Sequence, residues 1–226
     1  MQSGYRAKQS FHPESFVFPA LLSRSHKLAT LSSMNIELIA CAIEDSTLAF
    51  PMGALCIKAA IISDDILSRR CSCELHHFTL LDDPAETAAS CAARSPEIVG
   101  CSIYLWNRPW FDAFVAALHE RVPSIIIFAG GTEVTANGTA MWNDASSFMV
   151  LGEGEETVVR SLRQILNGEP VEGDGVITCN AGDTAPVHPQ RLETLPSPFL
   201  CKAVDLSRER WQGVLWEMTR GCPFHC

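Results

Sequence analysis

The sequence predicts an α/β fold in which helices cover both faces of a doubly wound, five-stranded parallel sheet. Three observations support this prediction. Short apolar runs alternate with segments of helical periodicity between residues 35 and 167. The runs are apolar at nearly every position, as strands buried on both faces of a sheet are. Glycines or polar residues follow several of the runs, at the edge where parallel sheets bind ligands.

The elements follow one another in a regular order along the chain. In the first predicted helix, apolar residues from Leu55 to Ile66 recur at helical spacing. Pro84 stands in the first turn of the second helix, where no backbone hydrogen bond is lost, and Gly168 ends the last one. The strands are predicted at 36–43, 73–80, 98–104, 124–129 and 148–151, and the helices at 51–69, 84–94, 109–120 and 155–166.

The remaining segments divide the chain into four parts. Residues 1–34 are rich in serine and carry four basic residues against one acidic residue, so we expect a disordered leader or a misassigned start, with a transit peptide as the alternative. Residues 35–167 form the predicted sheet domain. Residues 168–210 are predicted as a small hairpin and a stiff linker, and residues 211–226, with a strand at 213–218, as the short start of a second domain.

Composition and charge narrow the classes of function. The 226 residues are 47% hydrophobic and 19% charged, which is typical of a globular protein. A net charge of −9 disfavours a nucleic-acid-binding protein that works through a basic face. We find no apolar run of membrane-spanning length. The ten cysteines are scattered through apolar runs, unlike a secreted disulfide framework, so we expect a cytoplasmic protein with no nucleic-acid or membrane partner.

Three loops after predicted strands are candidate ligand-binding segments. Paired glycines at a strand end allow positive φ angles and a close approach of the backbone to a ligand. The acidic loop at 152–155 does not match a dinucleotide-binding glycine motif and suits a neutral or hydrogen-bond-donating ligand. The candidate residues are Ser102 and Tyr104 after the third strand, Gly130, Gly131, Thr132 and Glu133 after the fourth, and Gly152, Glu153 and Gly154 after the fifth.

Cys222 and Cys226 form a separate candidate site for a metal. Two thiolates at this spacing in a strand-to-loop junction can bind iron or zinc. A zinc site that also uses His225 and earlier cysteines and histidines is an alternative, and so are plain thiols in a turn.

Taken in order, several short motifs resemble those of the cobalamin-binding radical S-adenosylmethionine (SAM) enzymes. The resemblance covers residues 35–226, and the motifs are FPMGAL at 50–55, VGCS at 99–102, GGTEVT at 130–135, GEGE at 152–155, LPSP at 195–198 and TRGCPFHC at 219–226. It implies a Rossmann-like, flavodoxin-like cobalamin-binding domain followed by a partial barrel that cleaves SAM at a [4Fe–4S] cluster. Many members of this family are methyltransferases that use cobalamin as a methyl carrier.

The same resemblance gives roles to the candidate residues. Cys222 and Cys226 would be the first two cysteines of the CxxxCxxC cluster motif, with the third beyond the last residue. We therefore expect a chain that stops inside this motif, lacks the barrel and is inactive alone. Ser102 and Tyr104 match the family's S-x-L position, with Tyr in place of Leu. The corrin ring would be held by shape, by Gly130 and Gly131, and by hydrogen bonds from such groups as Ser102, Thr132 and Glu153.

One departure from the family concerns the lower face of the cobalt. Other cobalamin domains carry D-x-H-x-x-G after the first strand, and the histidine ligates cobalt. Here Asp45 is followed by Thr47 and Phe50 at the histidine and glycine positions, so we expect cobalamin to bind without a histidine ligand. The expected partners are cobalamin and an unknown small-molecule or peptide substrate. The alternative is a flavodoxin-like regulatory or interaction module that has lost its ligand.

Overall fold

The fold is built on a single β-sheet. A computed structural model describes residues 33–138, 147–178, 184–187, 191–207 and 211–220. The strands of the sheet lie in the order β2-β1-β3-β4-β5-β6. Strands β1 to β5 are parallel, and β6 is antiparallel to β5. The strands span Met34–Ala42 (β1), Cys71–Thr79 (β2), Ile98–Ser102 (β3), Ile126–Gly130 (β4), Phe148–Val150 (β5) and Val176–Ile177 (β6). The predicted α/β class and the five parallel strands are confirmed, and a sixth, antiparallel edge strand is added.

Helices cover both faces of this sheet. They span Met52–Ser63 (α1), Leu67–Arg70 (α2), Pro84–Ala93 (α3), Arg108–Arg121 (α4), Thr132–Asn137 (α5) and Glu155–Asn167 (α6). One apolar cluster joins α3 and α4 to the sheet through Ile39, Cys91 and Phe111. The other joins α1 and α6 to the opposite face through Leu38 and Leu162. The arrangement is therefore doubly wound, as right-handed crossovers between parallel strands require.

The first predicted helix is divided in two. The chain becomes extended at Asp64, and α2 begins three residues later. The Asp64 carboxylate accepts hydrogen bonds from the backbone N–H groups of Ile66 and Leu67, at 3.1 and 2.9 Å. Because this side chain satisfies N–H groups at the start of α2, it separates the two helices.

Two predictions for the C-terminal third need correction. The segments predicted as a hairpin do not pair with each other within the described residues: Val176–Ile177 pairs with β5, and Val187 forms an isolated bridge with Gly152. The predicted strands of this hairpin are 176–179 and 185–188, and its predicted turn, at 180–183, lies outside the described residues. The strand predicted at 213–218 is wrong, because these residues have no regular secondary structure. Leu215, Trp216 and Glu217 instead line a cavity that residues at the carboxyl ends of the strands also line.

Phe199, Val204 and Trp211 pack against the start of α1. Phe50, Leu55 and Val204 are buried together, with Phe199 and Trp211 against them. This contact places the segment that follows Trp211 beside the carboxyl ends of β1 and β3.

No helix in the described part of the chain is long and apolar enough to cross a lipid bilayer. The predicted leader falls outside the described residues up to position 32, and both Cys222 and Cys226 fall outside them as well.

Candidate functional site

The strand order locates the most favourable ligand-binding position in the sheet. The chain passes from β1 outward to β2 and then returns to β3 on the other side of β1. The connections that leave the carboxyl ends of β1 and β3 therefore run in opposite directions. Open α/β sheets bind ligands at such a switch point. A cavity of about 420 Å³ lies there, with Leu38, Gly100, Phe128 and Val150 among its lining residues.

Most of the predicted binding residues meet at this cavity. Seven of the nine line it: Ser102, Tyr104, Gly130, Gly131, Gly152, Glu153 and Gly154. The other two belong to α5. Thr132 is exposed, and Glu133 is buried and paired with Arg108 at 3.2 Å. The loops after β3, β4 and β5 thus form one surface, while a role for Thr132 or Glu133 in binding stays a prediction.

The glycines of this surface differ in whether the fold leaves room for a Cβ atom. Gly131 has a φ of +116°, and a Cβ atom there would lie 2.3 Å from the carbonyl oxygen of Ile103. Gly152 has a φ of +75° and a comparably close neighbour in Val187. At Gly130, by contrast, a Cβ atom would lie 3.7 Å from Val150, which is an ordinary contact. Gly131 and Gly152 are therefore required by the fold, and Gly130 is not.

The floor of the cavity contains a further glycine, one that was not among the predicted site residues. A Cβ atom at Gly100 would lie 2.3 Å from Cζ of Phe128. The Phe128 ring therefore lies directly across β3, and it stacks on Phe148 with ring centroids 5.3 Å apart. A glycine inside a predicted strand is the signal for such a close approach.

Two polar side chains that were not predicted as site residues hold the loops in place. Asn107 is fully buried; its Oδ1 accepts from the Tyr104 N–H at 2.7 Å, and its Nδ2 donates to the carbonyls of Cys41 and Ser102. Thr135 accepts from the Gly152 N–H at 2.9 Å and donates to a backbone carbonyl after β4. Both are ordinary polar residues in the sequence, and only the fold shows that they bridge neighbouring strands.

An aromatic pair stands beside the cavity. The rings of Tyr104 and Trp106 are stacked with centroids 4.5 Å apart and planes 8° apart. Tyr104 is one of the lining residues, and Trp106 is about half exposed. The pair gives the rim a flat apolar face, which suits a planar ligand.

A buried arginine closes one side of the cavity. Arg220 is only 7% exposed and contacts the carboxylates of Glu153, Glu155 and Glu217, the last two at 2.5 and 2.9 Å. Burial and the neighbouring carboxylates raise the pKa of Glu153, although Arg220 opposes this shift. Burial by itself would lower the pKa of Arg220, but its carboxylate partners raise it above the ordinary value. Glu153 is therefore engaged with Arg220, and its predicted bond to a ligand stays a prediction.

The described cysteines are free thiols. Cys56 lines the cavity, and burial raises its pKa to about 12. Burial raises the pKa of Cys73 and Cys91 in the same way. In the described ranges, we find no group of three or more His, Cys, Asp or Glu side chains that could hold a metal ion. The candidate ligands Cys222, His225 and Cys226 lie outside these ranges.

The chain is similar in sequence to known proteins over part of its length. No family profile matches the chain. The chain is 30% identical over 148 residues to the cobalamin-dependent radical SAM methyltransferase TokK of Streptomyces tokunonensis. The aligned region covers 58% of the chain and 21% of TokK. Part of the chain is therefore similar in sequence to part of a cobalamin-dependent radical SAM methyltransferase. A second relative is the 2-(S-pantetheinyl)-carbapenam-3-carboxylate methyltransferase of Streptantibioticus cattleyicolor. It is 28% identical over 162 residues, which are 65% of the chain and 23% of that enzyme.

Solved structures are similar to this chain in fold. The cobalamin-dependent SAM radical enzyme OxsB, solved with aqua-cobalamin and SAM bound, matches with a TM-score of 0.56 at 15% identity, over 70% of the chain and 23% of OxsB. An apo OxsB structure matches with a TM-score of 0.50 at 16% identity, over 76% of the chain and 25% of that protein. The chain thus spans about a fifth of the length of the sequence relatives and about a quarter of OxsB.

Proposed function

We propose that the chain binds cobalamin at the carboxyl edge of its sheet, as the cofactor-binding domain of a radical SAM protein. One observation carries the proposal. The loops after β3, β4 and β5 meet at a cavity at the switch point between β1 and β3, and seven residues expected to bind cobalamin line it. TokK and OxsB are themselves cobalamin-dependent.

The residues at the cavity fit part of such a ligand. Leu38, Phe128 and Val150 give an apolar floor, and Gly130 leaves room for a flat ring near the backbone. The cavity is too small to enclose a whole cobalamin, so it would hold one portion of the molecule while the rest lay on the rim. Ser102 and Tyr104 would supply hydroxyl groups to the amide-bearing periphery of the corrin.

The lower face of the cobalt would have no histidine ligand. Phe50 occupies the position of the family's glycine, and it is buried against Phe199 and Trp211 rather than lining the cavity. None of the described residues that line the cavity is a histidine. Cobalamin would therefore be held by shape and by peripheral hydrogen bonds.

Cys222 and Cys226 are proposed as thiolate ligands of a [4Fe–4S] cluster. In proteins of this kind, cobalamin carries a methyl group, and a cluster with SAM starts radical chemistry. A methyl transfer to a small-molecule or peptide substrate is the activity we propose for the whole protein. Because two thiolates do not complete a three-cysteine site, the wild-type chain should bind less iron than a full cluster after anaerobic reconstitution with iron and sulfide, and Cys222→Ala should lower that amount further. Equal iron in both would refute the assignment.

The test of cobalamin binding is direct. The purified chain is mixed with hydroxocobalamin, passed through a gel-filtration column, and its visible spectrum and cobalt content are measured. We expect about one corrin per chain to co-elute with the protein. A corrin-free protein peak would refute the proposal and favour the alternative of a non-catalytic flavodoxin-like module. Trp216 and Arg220 of the chain itself line the cavity, and this is the observation that favours the alternative.

A further inference from the structure

Residues 213–220 border the cavity, and we call this segment the strap. Leu215, Trp216, Glu217 and Arg220 line the cavity together with the loops of the sheet. Within the described chain, the strap takes part in no strand or helix. Its position therefore depends on side chains and on its two ends.

The first end is fixed by contacts beside α1. The ring of Trp211 packs edge-on against Phe50 with centroids 5.2 Å apart. The backbone N–H of Gln212 donates to the carbonyl of Thr47 at 3.2 Å. Between the two ends the strap is open to solvent, because Trp216 is 78% exposed and Met218 is 81% exposed.

The second end is fixed by Arg220. Its guanidinium group contacts Glu153 and Glu155, which follow β5 and begin α6, and Glu217 of the strap itself. Glu155 is 5% exposed, so separation of this pair would leave a buried carboxylate without its cation. Loss of one partner from a buried ion pair is strongly unfavourable. The ion cluster is thus the strongest attachment of the strap to the sheet edge.

We propose that Arg220 is a positioning residue that holds the strap over the cavity, and that the strap must open before a ligand of the cavity can enter. The ligand step rests on the proposed function, whereas the closure of the strap does not. The two can therefore be tested separately.

Cys56 provides a probe of closure that needs no ligand. Its thiol lines the cavity and is 7% exposed, whereas Cys91 is fully buried on the opposite face of the sheet. Alkylation of each cysteine by iodoacetamide can be followed by peptide mass spectrometry. In the wild-type chain both should react slowly. Loss of the hydrogen bond and charge of Arg220 would by itself raise the pKa of the Cys56 thiol and slow its alkylation. In Arg220→Gln we nevertheless expect Cys56 to react at least about tenfold faster while Cys91 stays protected, because only local opening is enhanced.

Two further variants keep the test informative if Arg220→Gln folds poorly. Glu153→Gln removes one of the three carboxylate contacts while leaving Arg220 and Glu155 paired, and should accelerate Cys56 by a smaller factor. Arg163→Gln is the matched control, since it removes an arginine that pairs with Asp64 and Asp65 and does not line this cavity. Arg163→Gln should leave the rate at Cys56 unchanged.

The outcomes separate closure from ligand identity. Faster alkylation of Cys56 alone in Glu153→Gln and Arg220→Gln supports the strap, and a faster association of hydroxocobalamin with the same variants supports its control of entry. Equal rates at Cys56 in wild type and both variants would overturn the proposal, as would acceleration of Cys56 only together with Cys91. If no variant binds hydroxocobalamin, the proposed function fails, and the alkylation result still decides whether Arg220 closes the strap.

Discussion

Glu37 in the middle of β1 and Arg94 at the end of α3 form a two-point ion pair on one face of the sheet. Nε and Nη2 of Arg94 each lie 2.7 Å from a carboxylate oxygen of Glu37. The thiol of Cys91 donates to the same carboxylate at 3.2 Å. Burial by itself would raise the pKa of Glu37, but the hydrogen bonds and charge of Arg94 hold it below the ordinary value. A carboxylate that is 2% exposed is thus kept ionised inside the domain.

Removal of the arginine should destabilise the domain. Arg94→Leu leaves Glu37 buried without its cation, which we expect to lower the free energy of unfolding by about 3 kcal/mol. Urea denaturation at pH 7.5 measures the change. The double variant Glu37→Leu/Arg94→Leu is the control, because an apolar pair in place of a buried ion pair is often tolerated. A double variant as unstable as Arg94→Leu would contradict this account.

The pH dependence of stability should reflect His76, whose Nε2 lies 3.7 Å from Glu37. Burial and the charges of Arg94 and Lys58 lower the pKa of His76 below its ordinary value of 6.5, against the opposing charges of Glu37 and Glu74. The unfolded chain therefore binds this proton more readily than the folded one. The contribution of His76 to stability is complete above about pH 6.5 and is lost as the pH falls toward the folded-state pKa.

Comparison of His76→Leu with the wild type isolates this effect. The urea midpoint of the wild type should decrease when the pH is lowered from about 7.5 to about 5.5. The midpoint of His76→Leu should decrease by a smaller amount. The slopes of the free energy of unfolding against pH should differ between the two proteins by at most about 1.4 kcal/mol per pH unit, the value for one proton. Identical slopes in the two proteins would show that other groups control the pH dependence.

Gly131 should be intolerant of any side chain. Gly131→Ala must place a Cβ atom against the backbone of Ile103 at a positive φ, and we expect a loss of more than about 2 kcal/mol in the free energy of unfolding. Gly168→Ala provides a matched comparison, because Gly168 has a φ of +72° but a Cβ atom there would have no neighbour within 4 Å. It should cost only about 1 kcal/mol. Equal losses in the two variants would disprove the steric explanation.

Asn107 should be needed for the shape of the loop after β3. Asn107→Ala removes three hydrogen bonds from a fully buried position and should cost about 2–4 kcal/mol in urea denaturation. Asn107→Asp keeps the acceptor for Tyr104 but turns a carboxylate oxygen toward two carbonyl groups. It should therefore be no more stable than Asn107→Ala at pH 7.5. A stable Asn107→Asp variant would show that the two carbonyl bonds contribute little.

The sequence predicts the sheet well because its strands are apolar runs of parallel-sheet length, separated by glycines and helices. It also predicts that the loops at Ser102, Gly130 and Gly152 share one edge, since parallel strands place their carboxyl ends together. The ion pair of Glu37 could not be predicted from the sequence, because a single acidic residue in an apolar run does not indicate a partner 57 positions away.

Other features depend on tertiary contacts that no local pattern contains. Strand β6 has only two residues and exists through its pairing with β5. The segment at 213–218 is apolar enough to be predicted as a strand, yet Arg220, two residues beyond it, forms ion pairs with Glu153 and Glu155 of the sheet domain. Long-range ion pairs of this kind decide where a short segment lies, and they are invisible to periodicity.

Equilibrium dialysis of hydroxocobalamin against three proteins tests the central claim most directly. Gly130 lines the cavity, and the fold has room for a methyl group there. Gly130→Ala should therefore fold normally but bind the corrin at least about tenfold more weakly, a change of about 1.4 kcal/mol. The wild type and Gly168→Ala should each bind one equivalent with equal affinity. Equal affinity in all three proteins, or no binding by any, would contradict a cobalamin site at this edge of the sheet.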